Sequence, residues 1–327
     1  MTLQKVGIVG LGRYLPPKVV TNRDLEKMVD TTDEWITTRT GIKERRVISD
    51  GMLTSDLGKF ASEEALKEAH LRPEEVELLI VASISPDMPF PATSCIVQDK
   101  LGAKNAAAFD VAAACSGFVH ALTVAKQFIT LGTYRNALVV GAEALSTIID
   151  WKDRSTCILF GDGAGACVLA PVKEGGILNT YLGSDGRYSD LLMMPGGGSR
   201  YPTSPKTVEQ GLHYLKMNGS EVFKQAVRLM AESVEKVLAD SHLSIKDVDC
   251  LIPHQANMRI IQAITERLDF PIEKVYLNLE RYGNMSSAST ITALCEAVRE
   301  GRVKKGDLVV LVAFGSGFAW GSCVIQW

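Results

Sequence analysis

One cysteine stands where its thiol could act as a nucleophile. Cys115 lies in FDVAAACSGFVHALTVAKQF, residues 109–128, at the corner where an apolar strand is predicted to give way to a helix. A helix N-terminus favours an anion by up to about 2 kcal/mol in a partly buried setting, which lowers a thiol pKa by roughly 1.5. Starting from about 8.5, such a thiol is substantially ionised near neutral pH. An inert core cysteine fits this stretch equally well.

Three further segments supply groups that could act on a substrate held by this thiol. His254 follows a predicted strand in LIPHQANMRI, Asn284 lies in a glycine-containing turn in RYGNMSSAST, and residues 315–317 form a glycine-rich turn whose N–H groups could face a cavity. Cysteine proteases also use Cys, His and Asn, with His as the base and Asn orienting it. If a helix ionises the thiol, however, His and Asn are free to donate hydrogen bonds to an oxyanion.

The elements that must position these residues come from two similar halves of the chain. LRPEEVELLIVASIS at 71–85 matches LSIKDVDCLIPHQAN at 243–257, and ITLGTYRNALVVGAE at 129–143 matches VREGRVKKGDLVVLVAFG at 298–315, at an offset of about 170 residues. Amphipathic helices at 56–69 and 221–238 accompany short apolar strands, a pattern typical of sheets covered on both faces. We predict a layered α/β fold with the polar candidates at related strand ends, where active sites of such sheets usually lie.

The composition narrows the classes of function. Of the 327 residues, 46% are hydrophobic and 22% charged, which indicates a globular protein with a large core. The net charge of −3 argues against nucleic acid or a membrane as the main partner. No apolar run reaches the roughly 18 residues of a membrane span, and the first residues lack a signal-peptide pattern. The seven cysteines are scattered without a C-x-x-C pair, so we expect free thiols in a reducing cytoplasm and no structural zinc.

Two glycine clusters resemble nucleotide-binding loops only superficially. VGIVGLGRYLPP at 6–17 lacks the third glycine of a dinucleotide turn, and two prolines follow where its helix should begin. FGDGAGACVLA at 160–170 leads into a strand, so its glycines are expected to allow close packing. The segment 194–211, MPGGGSRYPTSPKTVEQG, is predicted to be a long loop, either a surface connection or the lid of a site.

The motifs, taken in order along the chain, resemble those of β-ketoacyl-[acyl-carrier-protein] synthase III. They are TTDEWITTRTGIKERR at 31–46, DVAAACSGF, FGDGAGA, PHQANMRII, RYGNMSSAS and AFGSGFAWGS. The resemblance implies the thiolase fold, in five layers αβαβα, and a homodimer. Its two duplicated halves would be residues 1–172, which carry the cysteine, and 173–327, which carry the His and Asn. Acyl-CoA and acyl carrier protein would be the partners, and no metal or redox cofactor would be required.

The resemblance also implies a reaction, the ping-pong decarboxylative Claisen condensation that initiates type II fatty-acid synthesis. Cys115 would take an acyl group from a short acyl-CoA, with acetyl-CoA as the expected primer. Malonyl-acyl carrier protein would then lose CO₂ and attack the acyl-cysteine. His254 and Asn284 would stabilise the enolate oxygen, and the backbone N–H groups of Cys115 and Ser316 would form the oxyanion hole.

A coenzyme A channel is implied by a second set of matching residues. Trp35 and Arg154 would stack on the adenine ring, a task that suits a planar guanidinium. Thr31 and Arg39 would line the channel, with Arg39 near phosphate. Asn257 would contact the pantetheine arm or hold the shape of the site.

The resemblance is less specific for residues that would contact other proteins. The sequence also departs from the family pattern at two positions. Lys224 and Arg259 would belong to a basic patch for the acidic carrier protein, although solvated surface residues would look the same. Phe90 would cross the dimer interface to close the acyl pocket. Ser316 and Met285 stand where Gly and Thr are expected, so Met285 is predicted to reshape the site beside the catalytic Asn.

Three rival functions follow from the same residues. A secondary-metabolite condensing or acyl-transfer enzyme would share the fold and use another acceptor. A biosynthetic thiolase would need a second catalytic cysteine near the C-terminus, and Cys323 in the terminal stretch GSCVIQW lacks that setting. A non-catalytic carrier-protein-binding module would form no acyl adduct on its cysteine.

Overall fold

The computed structural model describes residues 3–327, which form an α/β structure with two main mixed sheets. The strands are β1 (Val6–Tyr14), β2 (Lys18–Thr21), β3 (Glu44–Val47), β4 (Leu78–Ala82), β5 (Ala107–Val111), β6 (Ala137–Glu143), β7 (Gly163–Pro171), β8 (Gly176–Ser184), β9 (Leu192–Met193), β10 (Lys216–Met217), β11 (Cys250–Pro253), β12 (Leu308–Gly315) and β13 (Ala319–Gln326). The helices are α1 (Asn22–Leu25), α2 (Asp33–Thr40), α3 (Thr54–Glu68), α4 (Thr93–Leu101), α5 (Gly117–Thr130), α6 (Arg154–Cys157), α7 (Pro205–Glu209), α8 (Gly219–Ala239), α9 (Met258–Arg267), α10 (Leu279–Tyr282) and α11 (Ser287–Arg299).

The two main sheets repeat one topology. The first has the order β1-β7-β6-β4-β5 and the second the order β8-β13-β12-β11. In both, the first two neighbouring pairs are antiparallel, and the next pair, β6 with β4 or β12 with β11, is parallel. The duplication predicted from the sequence is therefore confirmed at the level of strand order and direction. In this comparison β5 is the additional strand, and it pairs with β4 at the edge of the first sheet.

The helices cover both faces of each sheet and complete the predicted five layers αβαβα. Helices α5 and α11 lie between the sheets and pack against strands of both, while α3 and α4 cover the outer face of the first sheet and α8 that of the second. Strands such as β4 and β12 are buried along their whole length because helices lie on both sides. The strands of the first sheet end by Pro171 and those of the second begin at Gly176. A domain boundary at residue 172 stays a prediction, since the central helices belong to both packing surfaces.

Local sequence patterns agree with these elements. The helices predicted at 56–69 and 221–238 are α3 and α8. The glycine cluster at 6–17 forms β1 without a following helix, and the cluster at 160–170 leads into β7, so neither is a phosphate loop. The segment 194–211 lies in the excursion between the paired strands β9 and β10 and contains the short helix α7. Within residues 3–327, no helix is long and apolar enough to cross a membrane.

The central layer approaches the strand ends very closely at two glycines. A Cβ built on Gly141 in β6 would lie 2.6 Å from the carbonyl oxygen of Ser287, at the start of α11. A Cβ on Gly315, the last residue of β12, would lie 2.7 Å from the backbone nitrogen of Cys115. Both obstacles are backbone atoms, which cannot rotate away. The missing side chains therefore let α11 and the Cys115 corner meet the strand ends.

The contact at Gly141 predicts a stability effect. Gly141→Ala should force β6 and α11 apart and lower the free energy of unfolding by about 1–3 kcal/mol, the usual cost of overpacking a core. Gly186→Ala is the control, because a Cβ there meets nothing within 4 Å and the backbone is not left-handed. Urea unfolding of both variants at equal protein concentration measures the effect. Equal midpoints for the two variants would contradict the close-contact account.

Candidate active site

One cavity of about 460 Å³ gathers the candidate catalytic residues. Cys115, His254, Asn284 and Ser316 all line it, together with Asn257. Each lies just beyond an element end: Cys115 after β5, His254 after β11, Ser316 after β12, and Asn284 between α10 and α11. The remaining lining is mostly apolar, including Leu145, Leu159, Phe160, Leu192, Leu215 and Phe314. The arrangement is a small polar cluster at the end of an otherwise apolar pocket, as in typical ligand sites.

The nucleophile candidate occupies a strained corner between β5 and α5. Cys115 is the middle residue of a 3₁₀ turn, Ala114–Ser116, that immediately precedes the helix, and Ala114 has a φ of 45°. A left-handed conformation costs a non-glycine residue of order 1–3 kcal/mol and persists only where the surroundings enforce it. Here the end of β12 presses against the turn at Gly315. The corner thus holds the thiol at the cavity wall, with an exposed fraction of 7%.

The predicted ionisation of this thiol by the helix is wrong for the free chain. Burial raises the pKa of Cys115 to about 12, and the carboxylate of Glu143 also raises it. Hydrogen bonding from Ser286, from the cysteine's own N–H and from Asn284 lowers the pKa but does not compensate. The cost of removing a thiolate from water therefore raises the pKa by more than the roughly 1.5 by which the helix start was expected to lower it. The thiol is protonated at neutral pH and must be activated locally.

His254 is a buried, neutral imidazole. Its backbone N–H donates to Val312 O in β12 at 2.7 Å, which fixes the residue beyond the end of β11. Burial lowers the pKa of the ring to about 3, so one ring nitrogen carries a proton and the other does not at neutral pH. Within residues 3–327, neither ring nitrogen has a hydrogen-bond partner. The imidazole can therefore donate one hydrogen bond into the cavity.

Asn284 is held by its neighbours so that its amide NH₂ is left to the cavity. Its backbone N–H donates to Leu159 O at 2.8 Å, and its backbone oxygen accepts from Gly161 N at 3.0 Å. Its side-chain oxygen accepts from Ser286 N at 2.8 Å. Because that bond identifies Oδ1, the remaining side-chain group is the donor Nδ2. His254 and Asn284 thus offer two neutral donors to the same space.

The two departures from the family pattern behave differently in the structure. Ser316 lines the cavity, and its hydroxyl donates to Leu192 O in β9. Its φ is not in the left-handed region, so serine is accommodated without strain. Met285 is fully buried in a small cluster with Tyr282 and Ala288 and does not line the cavity. The expectation that Met285 reshapes the site is therefore wrong, since its side chain points away from Asn284.

Two residues beside the thiol were missed by the sequence reasoning. Ser286 lines the cavity, and Glu143, at the end of β6, is a fully buried carboxylate. Glu143 accepts hydrogen bonds from Ser85 Oγ at 2.7 Å and Ser287 Oγ at 2.9 Å, and from neighbouring backbone N–H groups. The serine-rich stretches SISP and MSSAS were the available signal, because runs of small hydroxyl residues at strand and helix ends commonly solvate a buried charge.

The expected adenine-binding residues form a cluster separate from the cavity lining. The Arg39 and Arg154 guanidiniums lie 4.6 Å and 4.8 Å from the centre of the Trp35 ring, and Arg154 also donates to Asp30 O at 2.7 Å. Thr31 Oγ1 is buried without a hydrogen-bond partner in the described part of the chain. None of these residues lines the cavity itself. Helix α2, which carries Trp35, packs against α9.

The first turn of α9 connects this cluster to the cavity. Asn257 caps α9, its side chain accepting from Arg259 N at 2.9 Å, and it also lines the cavity. Arg259 is exposed and lies 5.9 Å from the centre of the Phe223 ring, another lining residue. Lys224 is exposed on the neighbouring helix α8. Both expected carrier-protein contacts therefore flank the cavity.

Phe90 does not line the cavity, whereas residues at both ends of the excursion between β9 and β10 do. Phe90 is 83% exposed and does not line the cavity of its own chain as described. Met193 and Met194, at the start of the excursion between β9 and β10, do line it, as do Leu215 and Met217 at its end. The long loop predicted at 194–211 is therefore anchored beside the cavity at both of its ends.

The chain was compared with known proteins. Two family models match, one described as 3-Oxoacyl-[acyl-carrier-protein (ACP)] synthase III over residues 109–186, the other as its C-terminal part over residues 238–327. A curated relative from Caldanaerobacter subterraneus subsp. tengcongensis, named beta-ketoacyl-[acyl-carrier-protein] synthase III, is 57% identical over 322 residues, which cover 98% of this chain and 97% of the relative.

Solved structures agree with this match. The 3-oxoacyl-[acyl-carrier-protein] synthase III of Aquifex aeolicus VF5 is 47% identical with a TM-score of 0.91, covering 98% of this chain and 100% of that one. The priming beta-ketosynthase of the R1128 polyketide pathway is 35% identical with a TM-score of 0.91, covering 99% and 97%. Identity and coverage at this level leave one conclusion: the chain belongs to the 3-oxoacyl-[acyl-carrier-protein] synthase III family.

Proposed function

We propose that this chain catalyses the initiating condensation of type II fatty-acid synthesis. A short acyl-CoA and malonyl-acyl carrier protein yield 3-oxoacyl-acyl carrier protein, CoA and CO₂. Membership of the family supports the reaction type. The observation that carries the proposal is the convergence of one thiol and two neutral hydrogen-bond donors on a single apolar cavity.

In the first half-reaction, Cys115 Sγ attacks the thioester carbonyl carbon of the acyl-CoA. The bond from that carbon to the CoA sulfur breaks, and the thiol proton leaves with CoA. The carbonyl oxygen becomes negative in the transition state, and the backbone N–H groups of Cys115 and Ser316 are proposed to donate to it. The approach of β12 to the Cys115 corner supports this pairing, because it brings the two backbone segments together.

In the second half-reaction, malonyl-acyl carrier protein loses CO₂, and the resulting carbanion attacks the acyl-cysteine. The thioester oxygen of the malonyl group carries the developing enolate charge, and His254 and Asn284 are proposed to donate hydrogen bonds to it. The low pKa of His254 supports a neutral donor over a base or an imidazolium. A neutral donor keeps its proton throughout, and the Cys115 thiolate that condensation releases takes up a proton from solvent before the next turnover.

Coenzyme A is proposed to bind with its adenine beside Trp35 and Arg154 and its pantetheine arm passing Asn257. The stacking of guanidiniums on Trp35 supports a site for a flat aromatic ring. Thr31 and Arg39 are proposed to line this channel. The free state of all seven cysteines supports a reducing compartment, and we place the enzyme in the cytoplasm.

A carrier protein and a second copy of the chain are the proposed protein partners. Lys224 and Arg259 flank the cavity and are proposed to meet the acidic carrier protein. Phe90, which is largely exposed, is proposed to pack across a homodimer interface and close the partner's acyl pocket. A large exposed aromatic side chain is unusual on a monomer surface and typical of interfaces.

The function is tested by product formation. Purified chain should form 3-oxoacyl-acyl carrier protein from acetyl-CoA and malonyl-acyl carrier protein, and acyl-CoAs of increasing length in competition should define the primer. Cys115→Ala should show no acyl adduct by intact mass spectrometry, whereas Cys95→Ala, which removes the exposed cysteine, should still acquire one. Strong preference for malonyl-CoA over malonyl-acyl carrier protein would contradict the proposal and favour a secondary-metabolite enzyme.

His254 should separate the two half-reactions. His254→Ala should leave acylation of Cys115 within a few-fold of the parent but slow decarboxylation of malonyl-acyl carrier protein by about 100-fold or more, the usual cost of one lost oxyanion donor. Because the ring pKa is about 3, protonation of His254 should not inhibit decarboxylation by the parent between about pH 6 and 8. Equal loss of both steps in the variant would instead make His254 a base for the thiol.

Charge reversal tests the proposed carrier-protein surface. Arg259→Glu should raise KM for malonyl-acyl carrier protein by about 10-fold while changing KM for acyl-CoA much less, because a long-range attraction becomes a repulsion. Lys246→Glu is the control, since Lys246 is also exposed but precedes β11, whereas the cavity lies beyond the other end of that strand. The selective effect should weaken as salt is raised. Equal KM changes for both substrates would remove Arg259 from the docking surface.

A further inference from the structure

Ser286 stands at a helix N-terminus but does not cap it. It immediately precedes α11, where serine normally accepts a hydrogen bond from the second or third helical N–H. The chain uses that arrangement elsewhere: Thr32 accepts from Trp35 N at 3.1 Å. Ser286 makes no such side-chain bond, and its backbone has φ 46° and ψ −121°. The hydroxyl is therefore turned away from its own helix.

Ser286 lines the same cavity as the Cys115 thiol. Ser286 is 1% exposed and lines the cavity with Cys115 and Asn284. Within residues 3–327, no hydrogen bond of ordinary geometry reaches its Oγ. The hydroxyl is nevertheless close enough to act as a donor that lowers the pKa of both Cys115 and Glu143. Because Ser286 lines the cavity and its hydroxyl has no partner within the described residues, its proton is available to a group held in the cavity.

The strained backbone of Ser286 is enforced by three neighbours. Its N–H donates to Asn284 Oδ1 at 2.8 Å, and Met285 N donates to Ser289 Oγ at 2.9 Å. The hydroxyl of the next residue, Ser287, lies 2.8 Å from Ala82 O and 2.9 Å from Glu143 Oε1 and shares its one proton between these two oxygens. These bonds join the turn to the ends of β4 and β6, so several hydrogen bonds together fix the backbone conformation that orients the Ser286 side chain.

Glu143 is already supplied with hydrogen-bond donors. Its carboxylate accepts from the hydroxyls of Ser83, Ser85 and Ser287 and from the backbone N–H groups of Ile84, Ser85 and Ser287, at 2.7–3.4 Å. None of these donors is charged, and the carboxylate is fully buried. Because the carboxylate has these donors without Ser286, the Ser286 proton is left for the sulfur.

We propose that the Ser286 hydroxyl is a catalytic hydrogen-bond donor to the sulfur of Cys115. The proposal rests on the function given above. As the thiol proton passes to the departing CoA sulfur and Sγ attacks the acyl carbon, the hydroxyl donates to the negative charge that develops on Sγ. When condensation breaks the bond between Sγ and the acyl carbon, the electron pair returns to sulfur, and the hydroxyl donates again until a proton from solvent restores the thiol. Ser286 keeps its own proton throughout, and the thiol proton is the one carried off with CoA.

Other titratable groups on the elements around the thiol do not supply this donor. His254 is neutral at neutral pH. Asp110 in β5 accepts from Thr93 N at 2.7 Å and Ser94 N at 2.8 Å, so its carboxylate is already occupied. His120 in α5 has its Nδ1 bonded to Ser116 O at 3.0 Å. A negative charge on Glu143 would disfavour a thiolate. The Ser286 hydroxyl is a neutral donor that favours a thiolate, together with Asn284 and the backbone N–H of Cys115.

The test compares Ser286→Ala and Ser286→Gly in the full-length chain with Thr290→Val as control. Thr290 is one turn further along α11, is 1% exposed, has an unpartnered hydroxyl in the described structure, and does not line the cavity. Iodoacetamide alkylation of Cys115 is followed by peptide mass spectrometry at several pH values, with the exposed Cys95 as internal reference. Transfer from acetyl-CoA to Cys115 is timed in parallel.

Both serine variants should alkylate Cys115 about 10-fold or more slowly at each pH, the scale of one hydrogen bond to a charged group. Transfer from acetyl-CoA should slow similarly, and Thr290→Val should match the parent. Parent-like alkylation of Cys115 in both serine variants would overturn the proposal. A parent-like rate in Ser286→Gly alone would also overturn it, because that variant lacks the hydroxyl too. The slow rate of Ser286→Ala would then be due to backbone strain, which glycine relieves. If the parent is alkylated at Cys115 with this serine dependence but never acylated by acyl-CoA, the donor role stands and the proposed function fails.

Discussion

The structure depends on one contact, the approach of the first turn of α11 to the end of β6. Gly141 admits the backbone of Ser287, and two residues later the buried carboxylate of Glu143 accepts two hydrogen bonds from that same serine. A helix of the second half is thereby fixed against the sheet of the first. Since Asn284 and Ser286 precede α11 and Cys115 follows β5, this contact also sets the relation between the donors and the sulfur. Stability and chemistry are coupled at the same few atoms.

The electrostatic character of the site follows from its burial. A cavity lined mostly by apolar side chains raises the pKa of Cys115 and lowers that of His254, so both are uncharged in the resting chain. Burial raises the pKa of the neighbouring Glu143 carboxyl group, which is surrounded by hydroxyl and backbone donors. Charge is therefore absent from the cavity until the reaction creates it. Hydrogen-bond donors that are already in place are then worth more than they would be in water.

Much of this arrangement could be predicted from residue types and spacing. The repeat placed Cys115, His254 and Asn284 at related element ends, and these side chains do converge on one cavity. Ionisation of the thiol was predicted wrongly because a helix start is visible in the sequence, whereas the surfaces that exclude water from it come from distant strands.

The directions of the side chains beside Asn284 could not be predicted from the sequence either. Met285 follows Asn284 and was expected in the site, but its side chain packs in a separate cluster, whereas Ser286 lines the cavity. One left-handed residue decides which of two neighbours faces the substrate, and serine at a helix start normally predicts a cap. Glu143 was missed because its serine donors are spread over residues 83–85 and 287, which only the folded sheet brings together.

The indole of Trp35 already carries two guanidinium groups, from Arg39 and Arg154. In the proposed binding mode, the adenine of coenzyme A would have to enter between the Trp35 ring and a guanidinium that already stacks on it. The contact between cation and indole would be lost as the contact between base and indole forms, so the net gain in stacking free energy would be smaller than on an uncovered ring. A smaller net gain would let CoA leave sooner, before the second substrate enters.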